Sequence, residues 1–316
     1  MLKAFFKKNQ FLIMITVVIA FAFLIPQPGL YIKKIGLLSV FTFIAMFISG
    51  LSLSFSDIKK NFKDFKSIPF TILVTFVVFP AISYVLSRII FTGSYDIFVG
   101  IMILATQAST VSSAIVLTMA AKGNVPLAII LTLINNSLSV FVTPVILNFM
   151  FSEGNKVSFN VLSMILNLVV VIIVPIVLAQ LCKMYLKKVV AGINPWRKTI
   201  ANGVVLTFVL IGASTASSQI MSRLDKIFLI LIFVVLLHTI MLAIAFAYSR
   251  LMKLPAGNVS SVLFCSSEKT MTTSILIWGN YFSQYAIVPI VIVSYHLVQI
   301  IMDSVVAGIL SKKNDS

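Results

Sequence analysis

The sequence predicts an all-α membrane protein: ten transmembrane helices arranged as two five-helix repeats of inverted orientation, with the fourth and ninth helices broken. Three observations lead there. Of the 316 residues 60% are hydrophobic and 10% charged, whereas a soluble domain carries roughly a quarter charged residues. Val-, Ile-, Leu- and Phe-rich runs recur along the whole chain with short polar connectors, so no separate soluble domain can be cut out. Two of these runs are interrupted by hydroxyl-rich clusters, and one cluster holds the adjacent charges Glu268 and Lys269.

With about 20 apolar residues per crossing of a ~30 Å hydrocarbon core, the spans fall approximately at 10–25, 35–54, 68–92, 97–121, 125–149, 159–186, 200–220, 226–250, 259–279 and 284–310. In the first, Lys3, Lys7 and Lys8 precede an apolar run from Phe11 to Ile25 in the manner of a signal peptide. No small-x-small cleavage site follows, and Pro26-Gln27-Pro28 leads into further membrane, so the segment is expected to remain as a span. The fourth carries Thr106-Gln107-Ala108-Ser109-Thr110-Val111-Ser112-Ser113, and the fifth carries Asn135 and Asn136, which can bridge helices or face a cavity. In the seventh, Gly212-Ala213-Ser214-Thr215-Ala216-Ser217-Ser218 is read as close helix packing. His238 in the eighth and His296 in the tenth are expected to make hydrogen-bonded helix contacts, and Asp303 to reach the interface near the cytoplasmic end of the tenth. The ninth holds Cys265-Ser266-Ser267-Glu268-Lys269-Thr270-Met271-Thr272-Thr273-Ser274, with too many backbone-competing hydroxyls for a plain lipid-facing helix.

The net charge of +16 could suggest nucleic acid, but the Lys and Arg residues cluster in the connectors, where lipid head groups and the translocation machinery read them. With a cytoplasmic N-terminus, 17 of the 24 basic residues lie inside and 6 outside, Lys269 being the remaining one. That bias predicts a multi-pass protein of the cell (inner) membrane with both termini cytoplasmic and the bilayer, not nucleic acid, as its surroundings. Cys182 and Cys265 give no disulfide framework and no CxxC metal pair. Phosphate loops, HExxH, zinc spacings and nucleophile elbows do not occur, so neither an enzyme nor a cofactor is expected.

The chain is read as one transmembrane domain, with repeat one at about 1–150 and repeat two at about 155–316. Two five-helix halves insert with opposite orientation. Gly123-Asn124 closes the fourth span and Gly279-Asn280 the ninth, an offset of 156 that sets Glu268-Lys269 opposite Ser112-Ser113.

An intramembrane charge marks an ion or substrate pathway, and insertion of a lone Asp or Lys at a helix centre costs about 2.5–3.5 kcal/mol. Neighbours on a regular helix point about 100° apart, so Glu268 and Lys269 are not expected to neutralise each other. A broken helix leaves unpaired C=O groups on one half and N–H groups on the other. The C=O ends and hydroxyls suit a hard cation such as sodium, and the N–H ends a carboxylate or sulfate. Glu268 adds a full negative charge to the cation side.

At these residues the chain resembles the bile acid:sodium symporter superfamily, particularly its bacterial, SBF-like branches. The resemblance rests on Met46-Phe47-Ile48-Ser49-Gly50-Leu51-Ser52-Leu53 with Asp57-Ile58-Lys59-Lys60, on Phe76-Val77-Val78-Phe79-Pro80-Ala81 with Leu86-Ser87, on Ser112-Ser113 leading to Ala121-Lys122-Gly123-Asn124-Val125, and on Phe264-Cys265-Ser266-Ser267-Glu268-Lys269. It implies that the fourth and ninth helices cross, between a mobile core of spans 3–5 and 8–10 and a panel of spans 1, 2, 6 and 7, and that sodium is held at the crossing. Glu268 then matches the glutamate of the sodium sites, Met271 a backbone ligand beside it, Thr132 a hydroxyl ligand on the fifth helix, and Ser112 and Ser113 stand near the family's Ser-Asn pair. Thr75 and Thr272 replace family glutamines, Ala128 replaces a serine, and Lys269 takes an apolar position. These departures imply a reduced second sodium site in which the lysine ammonium stands in for one cation, leaving one sodium or a proton as coupling ion.

The sequence is therefore expected to encode a secondary transporter of a small organic anion coupled to sodium or protons by alternating access. Glu268, Ser112, Ser113, Thr132, Met271, Thr272 and Thr75 would form the cation shell; Gln107, Thr110, Lys269, Thr270 and Asn136 would receive the anion. The competing expectations are a sodium/proton exchanger without organic substrate and a membrane scaffold whose polar spans pack a partner subunit.

Overall fold

The computed structural model describes residues 2–53, 64, 66–152, 159–220 and 224–314. The stretch Asp57-Ile58-Lys59-Lys60 and the basic residues Lys63, Lys156 and Arg223 lie outside them, as do the side chains of Lys3, Lys7, Lys8 and Lys313. Among the described residues every regular element is helical.

Helix α1 (Leu2–Leu24) is followed by α2 (Gln27–Lys34), turned by 90°. The turn falls at Pro26 and Pro28, which lack the N–H needed to continue the ladder. Helix α3 (Leu38–Ser52) precedes α4 (Ser67–Ile90), which contains a π turn at Val74–Val78. Then come α5 (Tyr95–Ala105), α6 (Val111–Ala120) and α7 (Val125–Ser152). Helix α8 (Val161–Tyr185) has a second π turn at Val169–Ile173 and is joined through the short α9 (Lys187–Ile193) to α10 (Arg197–Ile220). The series closes with α11 (Leu224–Leu251), α12 (Ala256–Ser267), α13 (Met271–Tyr281) and α14 (Val288–Asn314).

Among the described residues six helical stretches are long and apolar enough to cross a membrane, and the bent α1–α2 pair makes a seventh. The expected count of ten is not reached by length and composition alone. Helix α3 has only 15 residues. The two polar spans are each divided, into α5 and α6 and into α12 and α13, and each half has 10 to 12 residues.

Polarity is turned inside out relative to a soluble protein. Helices α8 and α11 expose Leu162, Leu166, Val170, Phe228, Ile232 and Val235, an apolar surface suited to lipid. Ser260–Ser267 of α12 and Met271–Trp278 of α13 are buried without interruption, polar residues included. Helix α10 packs on α1, α2 and α3 and also on α13 and α14, and α8 packs on α3; α14 packs on α5, α6, α10, α11, α12 and α13.

The end of α3 shows what the basic residues of the connectors do besides setting orientation. Its last carbonyls lack regular helical donors, Gly50 O keeping a 3.1 Å bond from the Leu53 N–H at the helix end. Gln180 donates to Gly50 O (2.5 Å), Arg197 to Leu51 O (3.0 Å) and Lys183 to Leu53 O, so side chains of α8 and α10 satisfy the negative end of the helix dipole. Gly50 permits that approach: a Cβ there would stand 2.8 Å from the Ala179 Cβ. Gly212 and Ser214 likewise serve packing, a Cβ at Gly212 falling 3.1 Å from the Pro289 ring.

Candidate functional site

The two helix breaks meet in the interior. Thr110 (φ −70°, ψ 122°) and Thr270 (φ −78°, ψ 122°) hold the same extended conformation just before α6 and α13 resume. The N–H of Thr270 donates to Ala108 O at 2.9 Å, and the Thr110 hydroxyl donates to Lys269 O at 3.1 Å. This corrects the register read from the sequence. Matching the glycine–asparagine pairs sets Glu268 opposite Ser112, whereas matching the breaks pairs Thr110 with Thr270 and Glu268 with Ala108. Gly123 lies one helical turn further from its break than Gly279 does from its own, and that extra turn shifts the offset.

Much of the backbone expected to be open for ions is taken by the protein itself. Thr143 Oγ1 donates to Thr106 O at 2.6 Å and Asn136 Nδ2 to Ser109 O at 3.0 Å, both from α7. From α14, the Tyr295 hydroxyl donates to Ser267 O at 2.7 Å. The Gln299 amide grips Lys269 twice, accepting from its N–H at 2.8 Å and donating to its C=O at 3.1 Å. Buried polar backbone in a membrane protein is tolerated where such partners exist.

Lys269 is fully buried. Its ammonium donates to Gln107 O (2.7 Å) and Thr75 O (3.1 Å) and lies 4.1 Å from the centroid of the Phe79 ring, a cation–π contact. Local sequence makes Thr75 O available. In the π turn the Phe79 N–H reaches back five residues to Val74 O, and the next donor in that register would be residue 80. Residue 80 is proline and has no N–H. The freed carbonyl of α4 thus points to a lysine of the ninth-span break.

Glu268, 1% exposed, diverges from its neighbour. Its Oε2 accepts from Ser113 Oγ at 2.5 Å, while Oε1 is buried with no hydrogen-bond partner among the described residues. Ser113 is the third residue of α6, so the carboxylate lies at the positive end of that helix. An anion held by one hydroxyl, with its second oxygen uncommitted, has chemistry suited to a hard monovalent cation.

The hydroxyls of the remaining expected site residues make hydrogen bonds to partners other than Glu268. Ser112 Oγ is 3.5 Å from Ser49 Oγ of α3. Thr132 donates to Ile129 O of its own helix, and Thr272 shares a 3.1 Å hydrogen bond with Thr270. Met271 starts α13 and is 2% exposed. Thr75 Oγ1 accepts from Asn135 Nδ2 at 3.2 Å. Gln107, Thr270 and Asn136, expected to line a cavity with Lys269 and Thr110, are each 3% exposed or less.

Asp303 corrects another expectation. It does not reach the interface: it is fully buried, with Oδ1 2.9 Å from His238 Nε2. Thr143, Tyr295, Gln299 and Asp303 are structural partners that the sequence reading did not assign. A signal for three of them exists, because Tyr295, Gln299 and Asp303 recur every four residues and so share one face of α14.

Paired helix breaks carrying a buried carboxylate and a buried ammonium, inside a bundle with an apolar exterior, define a multi-pass membrane protein built around a polar core. Residues 9–312 match the SBF-like CPA transporter family, and the chain belongs to that family. It is a membrane transporter, not an enzyme. It is 26% identical over 317 residues to sodium/bile acid cotransporter 7 of Xenopus tropicalis, covering 95% of this chain and 90% of the relative. The mouse protein of the same name is 24% identical, with 95% and 91% covered. The probable chloroplastic sodium/metabolite cotransporter BASS4 of Oryza sativa subsp. indica is 25% identical over 307 residues, with 92% and 72% covered.

Proposed function

We propose that the protein is a secondary active transporter of a small organic anion, coupled to sodium and operating by alternating access. The observation that carries this reading is Glu268: a buried carboxylate at a helix break with one oxygen on Ser113 and the other uncommitted. Relatives named as sodium/bile acid and sodium/metabolite cotransporters support the choice of sodium and of an organic substrate. Ser112, Ser113, Thr132, Met271, Thr272 and Thr75 complete the cation shell around Glu268.

The ten spans form two inverted repeats, 1–150 and 155–316, in a cell membrane with both termini cytoplasmic. The packing of α10 on α1–α3 and of α8 on α3 supports a panel, and that of α14 on α5, α6, α11, α12 and α13 a core. The two meet where α10 packs on α13 and α14 and where α3 packs on α13. Gln107, Thr110, Lys269, Thr270 and Asn136 receive the anion when panel and core part and expose them.

In proteoliposomes, Glu268→Gln is expected to abolish sodium-driven uptake while the protein stays monodisperse and folded. Wild-type flux from that variant would remove Glu268 from the coupling site. A second reading, sodium/proton exchange with no organic substrate, is favoured by the close packing of the anion-facing residues and by the ammonium of Lys269 among them. Vigorous sodium-driven proton movement in liposomes free of organic anions would select it.

A further inference from the structure

Asp303, His238 and Tyr295 form a buried hydrogen-bonded chain that takes no part in the cation shell. Its proton content follows from its donors and acceptors. The Tyr295 hydroxyl has one proton and donates it to Ser267 O at 2.7 Å, an oxygen that can only accept. The 3.0 Å contact between that hydroxyl and His238 Nδ1 therefore needs an N–H on Nδ1. A neutral imidazole protonated there has a bare Nε2, yet Nε2 lies 2.9 Å from Asp303 Oδ1. Facing an ionised carboxylate, it would oppose lone pair to lone pair. One more proton, on Nε2 or on Oδ1, closes the contact. In either form the pair holds one proton beyond a neutral imidazole and a carboxylate, and its net charge is zero, which suits complete burial of both side chains.

Other titratable groups near the pair are few. Tyr295 lies on α14 itself, and Glu268, at the α12–α13 break with Cys265 of α12 beside it, is within electrostatic reach of Asp303. His296, bonded to Gln299, and Lys312, near the helix end, also lie on α14. On the helices packed against it, Tyr95 and Asp96 of α5, Arg197 and Lys198 of α10, Asp225, Lys226, Tyr248 and Arg250 of α11 and Tyr281 of α13 sit at helix ends. Lys226 and Arg250 are each about 18 Å along the helix from His238 at ~1.5 Å per residue.

We propose that the His238–Asp303 pair is a proton-binding site within the membrane, loaded in this conformation and discharged to water in another, so that each transport cycle moves a proton besides the cation at Glu268. Discharge breaks the N–H or O–H bond between the two side chains and passes that proton to water. It leaves Nδ1–H on His238 and an ionised Asp303. The opposed lone pairs then repel, so the imidazole turns or α11 and α14 move apart, and proton loss becomes a conformational event. The transport cycle rests on the reading above; the proton count does not.

Two measurements test it. His238 and His296 are the only histidines, so 15N-histidine labelling of the full chain in lipid resolves both rings, with His238 assigned by its loss in His238→Gln. The expected state is Nδ1–H with Nε2 either protonated or accepting from a carboxylic acid; a ring with a bare Nδ1 overturns the proposal. In proteoliposomes, a proton gradient is expected to change sodium counterflow in the wild type, and Asp303→Asn to lose that response while sodium counterflow persists. An unchanged proton response in Asp303→Asn overturns the proposal. Failure of the sodium site instead shows as absent sodium counterflow in the wild type with the expected ring state intact.

Discussion

The ammonium of Lys269 donates to the carbonyl of Gln107 across 2.7 Å, joining the break of the ninth span to the break of the fourth. With Thr75 O and the Phe79 face completing its surroundings, a covalently tethered cation occupies carbonyl oxygens of the kind that would coordinate a free one. A side chain cannot be released on the far side of a membrane. Under the function proposed above, the arrangement fixes one positive charge at the breaks and leaves the uncommitted oxygen of Glu268 for an exchangeable ion.

Lys269→Met should leave two buried carbonyls without donors, at about 1–3 kcal/mol each. The thermal midpoint in detergent with choline chloride should fall, and sodium chloride should recover more of it than in the wild type because a hard cation can take the vacated oxygens. An equal sodium effect in both proteins would show that the lysine does not substitute for a cation.

Pro80→Ala supplies an N–H that competes for Thr75 O. Its effect should therefore couple to that of Lys269→Met: the double variant should be more stable than the sum of the single changes indicates. Contacting residues show coupling energies of about 0.5–3 kcal/mol. Additivity in a double-mutant cycle of thermal or denaturant unfolding would refute the link between the π turn and the lysine.

Ser113→Ala removes the hydroxyl that orients Glu268. A hydrogen bond to a charged group contributes about 1.5–3 kcal/mol, and 1.4 kcal/mol is tenfold in affinity. The sodium-free midpoint should fall, because the bond is made without an ion. The sodium concentration for half-maximal thermal stabilisation should rise by up to roughly tenfold as the carboxylate loses its fixed orientation. An unaltered sodium titration would place the cation elsewhere.

Gln299→Leu strips the Lys269 N–H of its partner and leaves the Lys269 C=O with the Thr110 hydroxyl alone. The loss, about 1–3 kcal/mol for the unsatisfied N–H, should appear as a lower unfolding midpoint that sodium does not restore, since the amide lies on the backbone side of the break. Full sodium rescue would show that Gln299 acts on the cation site itself.

Gly50→Val should force α3 from α8, because a Cβ already meets Ala179 at 2.8 Å and Ile176 Cα at 3.0 Å. Overpacking of this kind costs typically ~1–3 kcal/mol. Gly203→Ala is the control, as no atom lies within 4 Å of a Cβ there. Equal expression and melting of the two variants would contradict the helix contact.

The membrane class, the interrupted fourth and ninth spans and the divergence of Glu268 from Lys269 were legible because each depends on local composition and on the angle between successive side chains. The register between the breaks was not, since Gly123 and Gly279 mark helix ends whose distances from the breaks differ by a turn. Asp303 was misplaced for a related reason. Proximity to a terminus in sequence suggests the interface, but burial depends on which helices surround that turn, and His238 of α11 does.

Sequence by itself determined that polar and charged groups enter the membrane, and at which two places the helical ladder is interrupted, because prolines, hydroxyls and apolar runs act on their own neighbourhood. Tertiary structure alone decided which of the freed carbonyls remain open. Thr75 to Lys269, Thr106 to Thr143 and Ser109 to Asn136 join separate helices, and a buried carbonyl is available to an ion only when packing brings it no closer donor.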